Sequence, residues 1–252
     1  MGMLADRIKK NARHLGKWAR RQGFHCLRLY NHDIPEYAMS LDDYEGNLLM
    51  TVSEGCAQRH SRDHLEEEVR LCFPDFKQLV VKERGQRYDS LDARKSFLVQ
   101  EADLCYEVNL HGYQDTGLFL DHRLTRQWFR KLSQGARVLN LFCYTGSFSV
   151  AAAAGGAEQV TSIDLSNTYL EWARRNFVHN QLDLEKHRFL QGDVLAWVES
   201  AGTDYDLILC DPPSFSNSKR MQGVFDVQTS HLQLLLKLQS LLNAQEIGRA
   251  HV

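Results

Sequence analysis

Residues 137–146, R-V-L-N-L-F-C-Y-T-G, restrict what the 252-residue chain can fold into more than any other stretch. They form an apolar run of strand length that ends in a small-residue turn and continues through S-F-S-V into four alanines. A continuous apolar run predicts a buried parallel strand, and the alanines predict a helix directly behind the turn. The pattern is that of the first βα turn of a nucleotide-binding α/β sheet. There, backbone N–H groups face a ligand at the carboxyl edge, and only small side chains let it approach. Thr145, Gly146 and Ser147 meet that condition.

Residues 159–164 (Q-V-T-S-I-D) predict a second strand ending in Asp164, where a carboxylate can accept both ribose hydroxyls of an adenosine. A helix is predicted over 166–179. Residues 187–191 predict a third strand with Asp193 just past its end, and residues 205–210 a fourth that runs into Asp211-Pro212-Pro213-Ser214-Phe215. Four strands thus each bring a polar residue to one edge. Asp164 and Asp193 are equally readable as N-caps of the helices that follow. The dinucleotide reading is weaker, because G-x-G-x-x-G is absent.

Composition bounds the remaining possibilities. A hydrophobic content of 43% is enough for one large domain or two modest ones, and no stretch approaches the 18 uninterrupted apolar residues of a membrane span. The basic, polar amino terminus has no apolar segment behind it, so a cytoplasmic location is expected and no membrane partner. Six cysteines without C-x-x-C spacing argue for packing thiols and against a metal site. With a net charge of −2, nucleic-acid binding would need local patches. One lies in residues 1–30, where eight Lys or Arg face the single acid Asp6.

Leu4, Ile8, Leu15 and Trp18 recur at helical spacing, which predicts a helix over 3–22 stopped by Gly23, with Lys10, Arg13, Lys17 and Arg21 on its other faces as candidate RNA contacts. Strands are predicted over 24–30 and 47–52, with turn material at 31–36 and 42–46. A helix follows over 60–71, where Glu66, Glu67 and Glu68 read as a solvated charge run. Strands at 79–82 and 97–100 flank a basic loop whose Lys82, Arg84 and Arg87 are further candidate phosphate contacts, or simply an exposed connection. Another strand is predicted over 104–110 and a helix over 120–132. The expected organisation is a small α+β domain over 1–112, then a Rossmann-like α/β domain over 113–245.

The order of these parts resembles a class I S-adenosylmethionine-dependent methyltransferase. Three segments narrow the resemblance: N-L-F-C-Y-T-G-S-F-S, D-T-G-L-F-L-D-H-R (115–123) and D-P-P-S-F-S-N-S-K-R-M (211–221). Together they are similar to bacterial enzymes that methylate large-subunit ribosomal RNA. The likeness is greatest to the carboxyl-terminal, 7-methylguanosine-forming half of the fused bifunctional RlmKL family, and it runs from the first helix to about Asn243.

The resemblance implies S-adenosylmethionine as cofactor and large-subunit ribosomal RNA as partner, with a second methyltransferase half fused to or preceding this one. It places Asn140, Phe142, Thr145 and Gly146 against the methionine part of the cofactor, Asp164 on the ribose, Asp193 on the adenine amino group, and Leu165 and Val194 over the ring faces. Gly117, Phe119 and Arg123 would close over the methionine end, although Arg123 can equally pair with Asp121. Asp211, Pro212 and Phe215 would hold and stack the target base, with Asp211 also near the cofactor, and Lys219 and Arg220 would meet RNA.

Guanine N7 carries an in-plane lone pair, so its methylation needs positioning and no general base. The rival is cytosine C5 methylation, which needs a cysteine nucleophile. In cytosine-specific relatives that residue follows a fifth strand that this chain does not contain. Cys143 and Cys210 lie near the proposed site. A non-catalytic RNA-binding module is the alternative from another class.

Residues 246–252 abandon the likeness and match a reading frame of common sequencing-library adapter DNA, so a non-native tail on a fragment is expected. With four strands where the class I sheet has seven, strand four would carry an unpaired apolar edge prone to aggregation, and turnover would be low or absent.

Overall fold

A computed structural model describes residues 2–86, 93–113, 115–202, 204–213, 215–216 and 225–243. The chain divides into two compact units, residues 1–121 and 122–252.

The first unit opens with α1 (Met3–Gln22), which ends at Gly23 in the left-handed conformation (φ 70°). Leu4, Ala5, Ile8 and Ala19 are its buried residues, while Trp18 sits at the rim, 37% exposed, against Phe24. The strands β1 (Cys26–Asn31), β2 (Met39–Tyr44) and β3 (Asn47–Val52) form an antiparallel meander. The short helices α2 (Glu54–Arg59) and α3 (Arg62–Arg70) then cross over to β4 (Gln78–Glu83), which pairs parallel to β3. A hairpin of β5 (Phe97–Glu101) and β6 (Leu104–Val108) follows. Leu4, Ile8, Leu41, Met50, Leu65 and Val69 belong to one continuous core, so the apolar stripe of α1 is buried with the sheet and α3.

Two sequence expectations change here. Residues 42–44 are strand, not turn: Asp42 lies opposite Arg28 in the ladder and receives its guanidinium in a fork of 2.7 and 2.9 Å. The turn shrinks to Glu45-Gly46, both at positive φ, which is the two-residue hairpin geometry that matches strand twist. Glu68 is not part of a solvated run. It is buried, and its carboxylate accepts the Ala5 N–H at 3.0 Å, capping the amino end of α1, where unpaired N–H groups and the helix dipole favour an anion.

The second unit is a doubly wound sheet. After α4 (Arg123–Leu132), the chain runs through β7 (Arg137–Leu141), α5 (Ser147–Ala154), β8 (Gln159–Asp164), α6 (Asn167–His179), β9 (Arg188–Gln191), α7 (Val194–Ser200) and β10 (Leu207–Cys210). The two-stranded pair β11 (Phe215–Ser216) and β12 (Phe225–Asp226) and the helix α8 (Val227–Leu241) complete the described part. The four long strands are all parallel in the order β10-β7-β8-β9. The winding therefore reverses between β7 and β10, and ligands of open α/β sheets bind at the carboxyl ends of strands at such a reversal. Among the described residues β10 is an edge strand, and all four of its residues are only half-buried. The proposed tail lies outside the described residues.

Candidate functional site

Strand register builds the site. Cys210 pairs with Leu141, Leu141 with Ile163 and Ile163 with Leu190. The residues one step further, Asp211, Phe142, Asp164 and Gln191, therefore leave the sheet in one row at the same edge. Three of the four residues in that row are polar, and the fourth, Phe142, continues the apolar run of β7.

The turn after β7 is the most strained segment of this unit. Phe142, Tyr144 and Gly146 all adopt left-handed backbone conformations, with φ of 55°, 51° and 72°. Each such bulky residue costs on the order of 1–3 kcal/mol, and the surrounding contacts must hold it. Those contacts are explicit. The Cys143 N–H donates to the Ile163 carbonyl and the Gly146 N–H to the Cys143 carbonyl. The Tyr144 N–H donates to Asp164 Oδ2 at 2.9 Å, and the Tyr144 ring packs edge-on to Tyr169. A Cβ on Gly146 would stand 2.6 Å from the Ala173 Cβ, so glycine lets α6 close on the turn. Gly146 is also the N-cap of α5, and with no side chain capping that end, the first turn of the helix presents backbone toward the row.

Asp164 has two tasks. Its Oδ1 accepts the Ser166 N–H at 2.8 Å, which turns the chain into α6, while Oδ2 holds Tyr144. Burial pushes its carboxyl above the usual range, opposed by these backbone N–H donors. A carboxylate has about four acceptor sites, so these bonds do not exhaust it. Asp193 is the N-cap of α7, its Oδ1 accepting the Leu195 N–H at 3.0 Å. Leu165 is half-buried beside Asp164, and its carbonyl accepts from the Gln191 amide.

Two residues expected to face a ligand are committed elsewhere. The Asn140 side chain is 1% exposed and donates to Ser149 Oγ at 2.8 Å, and Ser149 shares a 2.8 Å bond with Ser162. This chain locks β7, α5 and β8 together, so Asn140 supports the turn from beneath. Val194 is buried in the core with Leu139, Leu141 and Ile163, so its side chain packs instead of presenting a face. Thr145 is fully buried and its carbonyl accepts from Asn176 of α6.

Asp211 is exposed at the end of β10, followed by half-buried Pro212. The His122 Nε2 lies 3.8 Å from Asp211 Oδ2, and its ring meets Phe148 edge-on at 5.7 Å. Nothing in the sequence around D-H-R (121–123) marks His122 for a role. Only the fold, which sets the start of α4 beside the end of β10, could reveal it. Arg123 begins α4 and is buried. Gly117 and Phe119 belong to the first unit, where Gly117 has φ 99° and Phe119 is 44% exposed. Phe215 opens β11.

Of the candidate RNA contacts, Lys10, Arg13, Lys17 and Arg21 are exposed along α1, and Arg84 is exposed past β4. Lys82 requires correction. It is a residue of β4, 1% exposed, and its ammonium donates to the Tyr113 carbonyl, so it is spent inside the unit and does not face a phosphate. Burial lowers its pKa to about 8 despite nearby Asp115. Arg87, Lys219 and Arg220 lie outside the described residues.

A family model described as S-adenosylmethionine-dependent methyltransferase matches residues 72–247, well over half of the chain. The chain belongs to the S-adenosylmethionine-dependent methyltransferases. Relatives of this methyltransferase include the ribosomal RNA large subunit methyltransferase K/L of Shewanella oneidensis, 45% identical over 95% of the chain, and that of Shewanella baltica strain OS195, 44% identical over the same share. The chain spans about a third of the length of these relatives (35% and 36%). Among solved structures, a methyltransferase complexed with SAH superposes with a TM-score of 0.85 at 29% identity, covering 95% of this chain and 64% of that one. An S-adenosylmethionine-dependent methyltransferase from Streptococcus mutans does so at 0.82 and 28%, with the same coverage.

Both thiols near the row are held protonated. Burial pushes Cys143 well up, with Asp164 adding to it, and pushes Cys210 up to about 12, with Asp211 adding. Neither is poised as a thiolate.

Proposed function

We propose that this methyltransferase transfers a methyl group from S-adenosylmethionine to ring nitrogen 7 of a guanine in large-subunit ribosomal RNA. It would be the RlmK-like part of a protein that also carries a second methyltransferase half. The observation that carries the reading is the single row of Asp211, Phe142, Asp164 and Gln191 at the winding reversal, beside the uncapped start of α5. The relatives named for large-subunit ribosomal RNA support the substrate class.

The donor, when bound, supplies an already activated methyl group on a sulfonium. What falls to the chain is alignment and exclusion of water. Asp164 would accept from the ribose hydroxyls with the acceptor capacity that Tyr144 and Ser166 leave. The backbone at the start of α5 would receive the carboxylate, and Asp193 and Leu165 would bracket the adenine. Asp211 is a pure acceptor when ionised, so it suits the N1–H and amino group of guanine. That grip leaves N7, on the opposite edge of the purine, unobstructed. His122 and Asp211 stand at the row and could accept a proton, but N7 attacks through its own lone pair and needs no base. With Cys143 and Cys210 both pushed up by burial, neither cysteine beside the row serves a thiolate-dependent cytosine reaction.

The test is a single-turnover reaction of the protein with labelled S-adenosylmethionine and undermodified large-subunit ribosomal RNA, followed by nucleoside mass spectrometry. Label in 7-methylguanosine is expected. Label in 5-methylcytidine, or none, overturns the reading.

A further inference from the structure

A polar concavity of the first unit opens at the Glu45-Gly46 turn. It encloses about 470 Å³ between the β3–β4 edge and the start of β5, and its walls carry Lys77, Arg94, Lys95 and His111. Its one acid, Glu45, already accepts the Gln100 N–H at 2.7 Å, so the balance of the cavity is cationic. We propose that this cavity is an RNA-backbone site, seating a phosphodiester and its nucleoside from a single-stranded stretch of the substrate; this rests on the ribosomal RNA reading above.

Four features support it. Lys77 and Lys95 are exposed, and the Lys77 backbone is fixed by its N–H to the Gly46 carbonyl at 2.8 Å, so the charge is presented from an ordered turn. Polar side chains on the floor are connected: Asn47 donates to the Tyr44 carbonyl, Gln78 donates to Asn47 Oδ1, and Gln78 Oε1 is 3.1 Å from His111 Nε2. Because the Gln78 amide nitrogen is spent donating to Asn47, its Oε1 accepts a hydrogen bond from His111 Nε2–H, which fixes the ring. Burial, with Lys95 and Lys82 nearby, also holds His111 below its usual pKa. Phe97 and half-exposed Leu98 supply an apolar wall against which a base can lie. The volume lies within the roughly 300–1,000 Å³ of small-molecule sites, far more than a bare phosphate fills.

The experiment uses the full chain, a fluorescein-labelled single-stranded RNA from the large subunit, and anisotropy from 0.05 to 0.4 M salt. Each phosphate contact on a single strand contributes a salt slope of about 0.7. Replacing two cations (Lys77→Ala with Lys95→Ala) should therefore lower the slope by about 1.4 and weaken binding roughly tenfold at 0.15 M. Lys77→Arg with Lys95→Arg should restore both. An alanine pair that binds with unchanged slope, while wild type binds RNA, overturns the site and leaves the ribosomal RNA reading standing. Displacement by inorganic phosphate at the same phosphate concentration as the RNA overturns it in favour of a free-anion site. If wild type binds no RNA yet still binds S-adenosylmethionine in calorimetry, both readings fall.

Discussion

Replacing Gly146 by alanine tests the construction of the β7–α5 turn directly. At φ 72° an L-residue costs about 1–2 kcal/mol relative to glycine. The added methyl would lie 2.6 Å from the Ala173 Cβ and 3.3 Å from its Cα, and since Ala173 is fully buried within α6, relief requires moving a helix. Overpacking of that kind costs about 1–3 kcal/mol. The sum, about 2–5 kcal/mol, is a large part of the roughly 5–15 kcal/mol that holds a typical domain.

Gly135 separates the two terms. It has φ 70°, and nothing lies within 4 Å of a Cβ built on it, so Gly135→Ala should show the backbone cost alone. Ala173→Gly removes the colliding methyl at the cost of about 1 kcal/mol for a glycine inside a helix. The double variant should then be more stable than the sum of the singles by about 1–3 kcal/mol, the steric part recovered. Hydrogen exchange on β7 and β8 amides reads the opening free energy of this unit separately from the other. A Gly146→Ala no weaker than Gly135→Ala, or an additive double variant, would refute the claim that glycine is there to admit α6.

Asp164→Ala removes the acceptor of the strained Tyr144 N–H and the proposed ribose contact, so S-adenosylmethionine affinity should fall at least about tenfold, near the cost of one lost charged hydrogen bond, as measured by calorimetry. Ser149→Ala strips Asn140 and Ser162 of their shared partner, and a loss of about 1–3 kcal/mol is expected in the same exchange measurement. Lys82 gives a pH signature. Its folded pKa, about 8, lies below the 10.5 of an open chain, so between those values the unfolded state holds the proton that the folded state has released. Stability from this group therefore rises with pH across that window. Urea midpoints at pH 7.5 and 9.5 should show that rise in wild type relative to Lys82→Met, and equal pH responses would exclude it.

What was legible in the sequence and what was not divides along physical lines. β7 to β10 and their helices were readable because each strand is a short run centred on apolar residues and followed by turn and helix-forming sequence, V-L-N-L-F being the plainest. Asp164 and Asp211 were readable for the same reason, because the runs of β8 and β10 stop at them. β2 was not, because Ser40-Leu41-Asp42-Asp43 carries adjacent carboxylates that usually mark a turn, and only Arg28, fourteen residues away, makes Asp42 acceptable in a sheet. Glu68, Lys82 and Asn140 were misread in one way. A charged or amide side chain reads as solvent-facing or ligand-facing until its partner is known, and here the partners are the α1 amino end, the Tyr113 carbonyl and Ser149. Sequence shows that a polar group is present but not which distant group satisfies it.

The same principle bears on the reaction. A cysteine beside a methyl-donor site invites a nucleophilic role, but reactivity belongs to the thiolate, and the fold works against it at both positions. Cys143 is 5% exposed behind the strained turn with Asp164 near it, and Cys210 ends β10 next to Asp211, so burial and a neighbouring carboxylate both oppose ionisation. Cys143→Ala with Cys210→Ala should therefore leave single-turnover methyl transfer within about threefold of wild type, a barrier change under about 1 kcal/mol. The rate should also stay flat from pH 7 to 9. Transfer through either sulfur would instead vanish in the double variant, and in wild type it would climb about tenfold per pH unit as the scarce thiolate fraction grew. Loss of transfer with S-adenosylmethionine binding retained, or such a climb, would move the target from guanine toward an atom that needs a covalent nucleophile.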